Sequence, residues 1–392
     1  MKVAYFLHTA TTTDGSSKAF LFLIKQLLVK GVVPLIILPH AGEICPVLQE
    51  LNIKYVVLPW NMRPSTYPWF KTFKDKILFI PRLFGRLLIN NLCILKSILI
   101  IRKFKPEIIH TNCSVLAIGY YTARFLKIPH VWHIREYGAL DFNYYYYYPN
   151  RNNQLDRYKR KGSYTICITK DIQRYNFLTN WENAQAVYDG VLSQNVAEYF
   201  SDKKQYILFA GRLENAKGIL PLIDAYAQYY KQHSTPLPLH VAGHGTNEYI
   251  QLVKNKIQEY GIEDKVILLG MRKDILSLYK EAKALIVPSL SEGFGFITAE
   301  AMFCGCLVIG NDTAGTKEQF DNGLEMTGEE IALRYTKQEE LVQHLIDVTN
   351  EPIKHYEPMI LRAQQVVTQL YSTETHAERV YEFYNYILNQ NT

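Results

Sequence analysis

Short apolar runs alternate along the chain with longer stretches that read as helices. Val3–Leu7 is the first run, and a Thr/Asp/Gly/Ser loop at 9–17 leads into a helix over about Lys18–Lys30. Val33–Leu38 and Tyr55–Leu58 follow as strands. Ile108–His110 comes after Lys105-Pro106, His130–His133 after Ile128-Pro129, and Tyr164–Ile168 closes the series. Buried strands separated by helices predict a parallel α/β sheet with right-handed crossovers.

A second series of the same kind begins near residue 205, with strands at Tyr206–Ala210, Leu239–Ala242, Val266–Leu269, Ala284–Val287 and Leu307–Ile309. Between the two series, Asp189-Gly190 marks a turn and polar residues continue to Lys204. The pattern therefore predicts an α/β protein of two Rossmann-like, doubly wound halves, 1–190 and 191–375. A last helix, 376–392, is placed to pack back on the first half. Such sheets bind ligands at the carboxyl ends of their strands, so two facing halves would enclose a central cleft.

A length of 392 residues suits two cores better than one. Hydrophobic content of 48% and charge of 20% describe a globular chain. The net charge of +6 is modest and fits an anionic substrate or membrane surface without implying nucleic acid. Six scattered cysteines form no CxxC pair and stand at no zinc-finger spacing, so buried free thiols are expected. The N-terminus enters a strand at once and lacks the apolar core and cleavage site of a signal peptide, which makes the cytoplasm the expected compartment.

Residues 77–101 are strongly apolar but interrupted by Pro81, Arg82, Arg86, Asn90, Asn91 and Lys96, which argues against a spanning helix. Lysines and arginines surround the stretch, with Asp75 the only acid between 71 and 105. It is either a basic helix lying on an anionic membrane or a core helix with a solvated basic face. Tyr144–Tyr148, five tyrosines in a row, are either a sugar-stacking surface or a loop in a tyrosine-rich chain.

Two segments carry candidate chemistry. In Phe209-Ala-Gly211-Arg212-Leu-Glu-Asn-Ala-Lys217-Gly218 a glycine turns the chain off a strand, and the helix after Gly218 aims its first amides at the strand ends. Arg212 can fork onto phosphate oxygens and Lys217 adds a point charge, which together would stabilise a departing diphosphate. The second segment is Ser291-Glu292-Gly293-Phe294-Gly295-Phe296-Ile-Thr298-Ala-Glu300. Here a helix begins near Phe296, glycines expose backbone amides, and the two carboxylates suit hydroxyl groups, one on a sugar and one on a ribose. Taken singly, either glutamate is also an ordinary helix-start or surface acid.

In this order and spacing the two segments resemble the retaining GT-B glycosyltransferases of family 4, which share an E-x7-E motif. Val187-Tyr-Asp-Gly-Val191, Val241-Ala-Gly243-His-Gly245, Leu269-Gly-Met271-Arg-Lys-Asp274 and Asn311-Asp-Thr-Ala-Gly-Thr316 fit the same pattern. The resemblance implies that Arg212 and Lys217 bind the diphosphate of a sugar-nucleotide donor. Glu300 would hold its ribose and Glu292 a hydroxyl of the transferred sugar, while the backbone near Met271 meets the base. Amides at Thr298 or its neighbours would support the phosphates. On its own, His133 reads as a satisfied core histidine; Val131-Trp-His133-Ile-Arg135-Glu136 matches the family's active-site histidine segment, and the resemblance places His133 by the donor sugar. At the N-terminal loop, Asp14-Gly15-Ser16-Ser17 stands where many members carry two glycines. Gly15 and Ser16 are still small enough to approach the diphosphate, and Lys18 could touch phosphate or face solvent. His110, Asn112 and Arg135 lie where an acceptor would sit.

The implied reaction is retaining transfer of a hexosyl or N-acetylhexosaminyl group from a nucleoside-diphosphate sugar, with UDP favoured over GDP. The acceptor would be a carbohydrate or lipid-linked glycan of a bacterial cell-surface polysaccharide, reached at the inner face of the membrane. No metal or other cofactor is expected, because the cations and helix amides already neutralise the diphosphate. A sugar-nucleotide epimerase of the same fold and a non-catalytic sugar-nucleotide-binding scaffold are the alternatives.

Overall fold

The computed structural model describes residues 1–61, 72–138 and 151–390. Tyr144–Tyr148 and Lys71 lie outside the described residues. The chain divides into two compact units, Met1–Gly190 with Thr373–Thr392, and Val191–Ser372.

In the first unit, strands β1 (Lys2–Phe6), β2 (Val33–Leu38), β3 (Lys54–Val57), β4 (Ile108–Thr111), β5 (His130–Ile134), β6 (Ser163–Cys167) and β7 (Ala184–Ala186) form one parallel sheet. Their spatial order is β3-β2-β1-β4-β5-β6-β7. Val3, Tyr5, Ile36, Val131 and Ile166 on one face pack against the Gly15–Val29 and Thr373–Gln390 helices, which also pack on each other. The other face holds Phe6, Ile37 and Ile109 against the Phe73–Phe104 and Ile118–Leu126 helices. This alternation along each strand is what a sheet covered on both sides demands.

The second unit repeats the plan with β8 (Lys204–Ala210), β9 (Leu239–Ala242), β10 (Val266–Gly270), β11 (Ala282–Val287), β12 (Leu307–Asn311) and β13 (Leu333–Tyr335), ordered β10-β9-β8-β11-β12-β13. In each sheet the strand order reverses once, between β1 and β4 and between β8 and β11. A crevice opens at such a switch point at the carboxyl ends of the strands. The sequence reading misses β7 and β13. Both are three-residue edge strands, Ala-Gln-Ala and Leu-Arg-Tyr, with no apolar run to betray them. All six cysteines are buried and unpaired.

Backbone segments beyond β8 and β11 approach too closely for side chains. Gly218 has φ of +68°, and a Cβ there would stand 1.9 Å from the Pro288 carbonyl oxygen. Gly85 sits mid-helix with nothing within 4 Å of a Cβ. Gly218→Ala should therefore lower the second unit's stability by about 3 kcal/mol or more. Gly85→Ala should raise the first unit's by roughly 0.5–1 kcal/mol through helix propensity. Thermal unfolding of the two variants checks both signs.

Candidate functional site

At the β8/β11 switch point, the turn after β8 carries Lys217 and the loop after β11 carries Glu292. Lys217 Nζ donates to Glu292 Oε1 at 2.6 Å, and Ser289 Oγ donates to the same oxygen at 2.8 Å. Both charged side chains are largely covered, at 18% and 12% exposed, so their pairing is worth more than a surface ion pair. Backbone bonds tie the loops together: Leu290 N–H donates to the Ala216 carbonyl, and Gly315 N–H to the Glu292 carbonyl. Asn311 Nδ2 donates to the Ser289 carbonyl at 3.1 Å.

Gly295, at φ of +91°, turns this loop into the Phe296–Phe303 helix. Gln319 Nε2 holds the turn from behind, donating to the carbonyls of Phe294 and Gly295 at 2.6 and 3.0 Å. The first-turn amides of Phe296 and Ile297 have no acceptor within the helix and are available to an anion. The Thr298 amide is not, because it already donates to the Gly295 carbonyl at 3.2 Å. Thr298 is fully buried, and its hydroxyl has no hydrogen-bond partner. Of the amides at Thr298 and its neighbours, the open ones are those of the two residues before it. Phe294 is buried between Phe296 and Tyr371, and the ring anchors the loop. Glu300 accepts from Tyr279 Oη at 3.3 Å. Burial, and next the Glu300 charge, push the Tyr279 phenol well above its usual range.

The remaining residues of this group lie on the neighbouring strand ends. Gly211 follows β8 and donates its N–H to the Ala242 carbonyl. A Cβ at Gly243 would meet the Gly211 carbonyl oxygen at 1.7 Å, so the two turns run in contact. Gly293 follows Glu292 in the same loop. Arg212 is exposed and pairs with Glu214 at 3.0 Å. Met271 is 67% exposed just past β10.

The first unit brings its candidates together differently. Asn112, past the end of β4, donates through Nδ2 to the Ser16 carbonyl across the β1/β4 switch point at 3.4 Å. Gly15 opens the helix there and is exposed. Arg135 donates to Asn112 Oδ1 from Nε and Nη2 at 3.3 and 3.2 Å, and its Nη1 grips both carboxylate oxygens of Asp189. Glu136 Oε1 accepts from the Ser114 amide and hydroxyl at 3.0 and 2.5 Å and from the Cys113 thiol at 3.1 Å.

His133 does not stand open beside a sugar. It shares a face of β5 with Val131, and that face lies under the Thr373–Gln390 helix, so the ring is fully buried. His110 is likewise fully buried, with Nδ1 2.6 Å from Tyr384 Oη and Nε2 3.2 Å from His133 Nδ1. The surroundings of both are those of core histidines, while Asn112 and Arg135, bonded to each other, tie the strand ends together.

His133, Asp189 and His376 offer ligand atoms within 4.8 Å of one another, the arrangement of a metal site. The protons argue otherwise. Gly190 N–H donates to His376 Nδ1 at 2.9 Å, and Arg135 Nη2, a donor only, faces His133 Nδ1 at 3.3 Å. Both Nε2 atoms therefore carry hydrogen. They stand 3.9 and 3.7 Å from Asp189 Oδ1, too far to hydrogen-bond it, and protonated nitrogens suit a carboxylate neighbour better than a cation. Burial, then the Arg135 charge, hold all three histidines well below the usual imidazole range. Burial raises the Asp189 carboxyl, and Arg135 restrains the rise. Sequence reading passes over Asp189 and His376 as site residues: one is a turn residue, the other lies 187 positions later, and no spacing links them. Ser289, three residues before Glu292, was open to detection as a local partner.

Because these histidines stay neutral when folded, the unfolded chain binds more protons below about pH 6.5. Stability should fall as pH drops from 7.5 to 5.5, by about 1.4 kcal/mol per histidine at the lower limit. Asp189 acts in the opposite sense, one group against three. His376→Asn keeps an acceptor for Gly190 and should flatten the slope in thermal unfolding across that pH range.

Residues 194–366 match the family model described as glycosyl transferases group 1. An uncharacterized glycosyltransferase of Methanocaldococcus jannaschii is 31% identical over 148 residues, 37% of each chain. An N-acetylgalactosaminyltransferase of Campylobacter jejuni, whose name carries a diphospho-undecaprenol, is 29% identical over 37% of this chain and 40% of its own. The matched stretch thus spans about two fifths of these relatives' length. The Anabaena protein HepE, solved in complex with UDP, superposes with a TM-score of 0.76 at 19% identity, covering 98% of this chain and 100% of its own. The two-sheet architecture is the GT-B fold, and residues 194–366, most of its second unit, are similar to the glycosyl transferases group 1 model.

Proposed function

We propose that this protein transfers a sugar from a nucleoside-diphosphate sugar to an acceptor hydroxyl with retention of anomeric configuration. The observation that carries the reading is the Lys217–Glu292 pair at the β8/β11 switch point, beside the open amides of Phe296 and Ile297. That arrangement sets a cation and a helix terminus toward a diphosphate and a carboxylate toward sugar hydroxyls. Arg212, on its exposed turn, adds a second cation for the diphosphate, and Glu300 accepts from the ribose hydroxyls. With HepE solved bound to UDP, a UDP-sugar is the favoured donor.

In the proposed step the acceptor oxygen bonds to the anomeric carbon from the face the diphosphate leaves. The bond between that carbon and the phosphate oxygen breaks, and the acceptor proton passes to the departing phosphate. Charge grows on the leaving group, where Lys217, Arg212 and the helix amides stabilise it without a metal. Neither glutamate is needed as nucleophile or base. The name of the Campylobacter relative supports a lipid-linked glycan as acceptor, in the assembly of a bacterial surface polysaccharide.

Lys217→Ala and Glu292→Ala should each lower kcat about 100-fold or more while leaving the fold intact. Glu300→Ala should act mainly on donor affinity, weakening it about tenfold to a hundredfold. A panel of UDP- and GDP-sugars, followed by slow donor hydrolysis and by binding, measures both without knowledge of the acceptor. Undiminished turnover in both Lys217→Ala and Glu292→Ala would sink the assignment.

A further inference from the structure

The Phe73–Phe104 helix is 32 residues long, far longer than the sheet it covers is deep. Its carboxyl-terminal part belongs to the fold: Cys93, Ser97, Ile98 and Ile101 are buried, and Ser97 Oγ meets Thr122 Oγ1 at 2.5 Å. Asn90 marks where this part ends. Its side chain exchanges two hydrogen bonds with the backbone of Asn61, just beyond the carboxyl end of β3, at 2.9 and 3.2 Å. Residues 90–104 therefore run the depth of the sheet down to β4. Residues 73–89 continue past its carboxyl edge for about 26 Å, at ~1.5 Å per residue. That edge is the one carrying Ser16, Asn112 and Arg135.

The overhang bears a continuous apolar stripe. Phe73, Ile77, Ile80, Phe84 and Leu88 follow one another at three- and four-residue steps and are 61% to 78% exposed, and Leu92, past Asn90, prolongs the line at 49%. The buried side chains of this helix all lie after Asn90, and over the overhang the stripe is left exposed. Between 73 and 105 stand eight lysines or arginines and one acid, Asp75. Asp75 caps the helix through Thr72 and is paired with Arg82 at 2.9 Å. Lys74 and Lys76 flank the stripe, where their stems can lie along an apolar surface with the charges raised toward phosphates.

By length and composition this helix could cross a membrane. Its attachment forbids that. The part beyond Asn90 falls short of a hydrocarbon core of about 30 Å and carries Arg82 and Arg86, and the rest is built into the first unit. An apolar stripe edged with cations suits the plane of an anionic bilayer instead.

We propose that the Phe73–Ile89 overhang docks in the surface of an anionic membrane, stripe inward, and sets the carboxyl edge of the first unit beside a membrane-borne acceptor. The docking stands on this geometry alone, and the acceptor clause rests on the transferase reading.

Full-length protein is floated with vesicles of phosphatidylcholine alone or mixed with phosphatidylglycerol. Wild type should float with the mixed vesicles, less so at high salt, and poorly with phosphatidylcholine. Phe84→Asp/Leu88→Asp, at exposed positions with thermal unfolding unchanged, should lose at least tenfold in partitioning. Lys74→Glu/Lys76→Glu should lose the preference for anionic lipid. Failure of wild type to float, or equal flotation of the stripe variant, overturns the proposal. So does a wild-type dimer that the stripe variant converts to monomer while vesicle binding is absent in both. Donor binding measured on the same samples keeps the readings apart: its loss with flotation intact removes the transferase assignment, and the converse removes the docking.

Discussion

A carboxylate buried as completely as Asp189 has to be compensated by a paired charge, and Arg135 supplies it, with two histidines set nearby. Arg135 comes from the end of β5, His133 from its interior and His376 from a helix that follows the whole second unit. The histidines are neutral and carry their protons on Nε2, because Arg135 and the Gly190 amide occupy the other nitrogens. Isolated burial of one charge would cost several kcal/mol; a paired one is tolerable and imposes a unique arrangement. Through this cluster the Thr373–Gln390 helix, remote in sequence, becomes part of the first core. Arg135 in turn holds Asn112, which reaches Ser16 and closes the β1/β4 switch point.

The second unit meets its constraint in the backbone. Turns beyond β8, β9 and β11 pass so close that Gly218 and Gly243 admit no Cβ. That close packing lets Lys217 and Glu292, 75 residues apart, meet at 2.6 Å with both side chains largely covered. The same loop then turns at Gly295 into a helix whose first amides stay open. Cation, carboxylate and helix terminus converge by topology, since all three sit at the one place where the strand order reverses.

Most strands were legible because burial on both faces leaves unbroken apolar runs, as in Val33–Leu38 and Leu239–Ala242, which the structure places at those same residues. Edge strands β7 and β13 were not, because one neighbour and little burial ask for no such run. The candidate segments of the second unit, which the fold brings to one switch point, were legible too. Glycines, a lysine and two glutamates at fixed offsets from strand ends are local in sequence, and local geometry is what sequence spacing encodes.

What the sequence by itself determined is therefore the two-sheet plan and the identity of the Lys217–Glu292 segments. Tertiary structure alone decided the environment of each side chain. His133 has the same neighbours in sequence whether it faces a substrate or a core, and only the helix laid over β5 buries it. Residues 77–101 carry the same composition in a core helix or an interfacial one. Anchoring at Asn90 and a stripe left uncovered over the overhang separate the two, because burial depends on what packs against a helix and not on the helix itself.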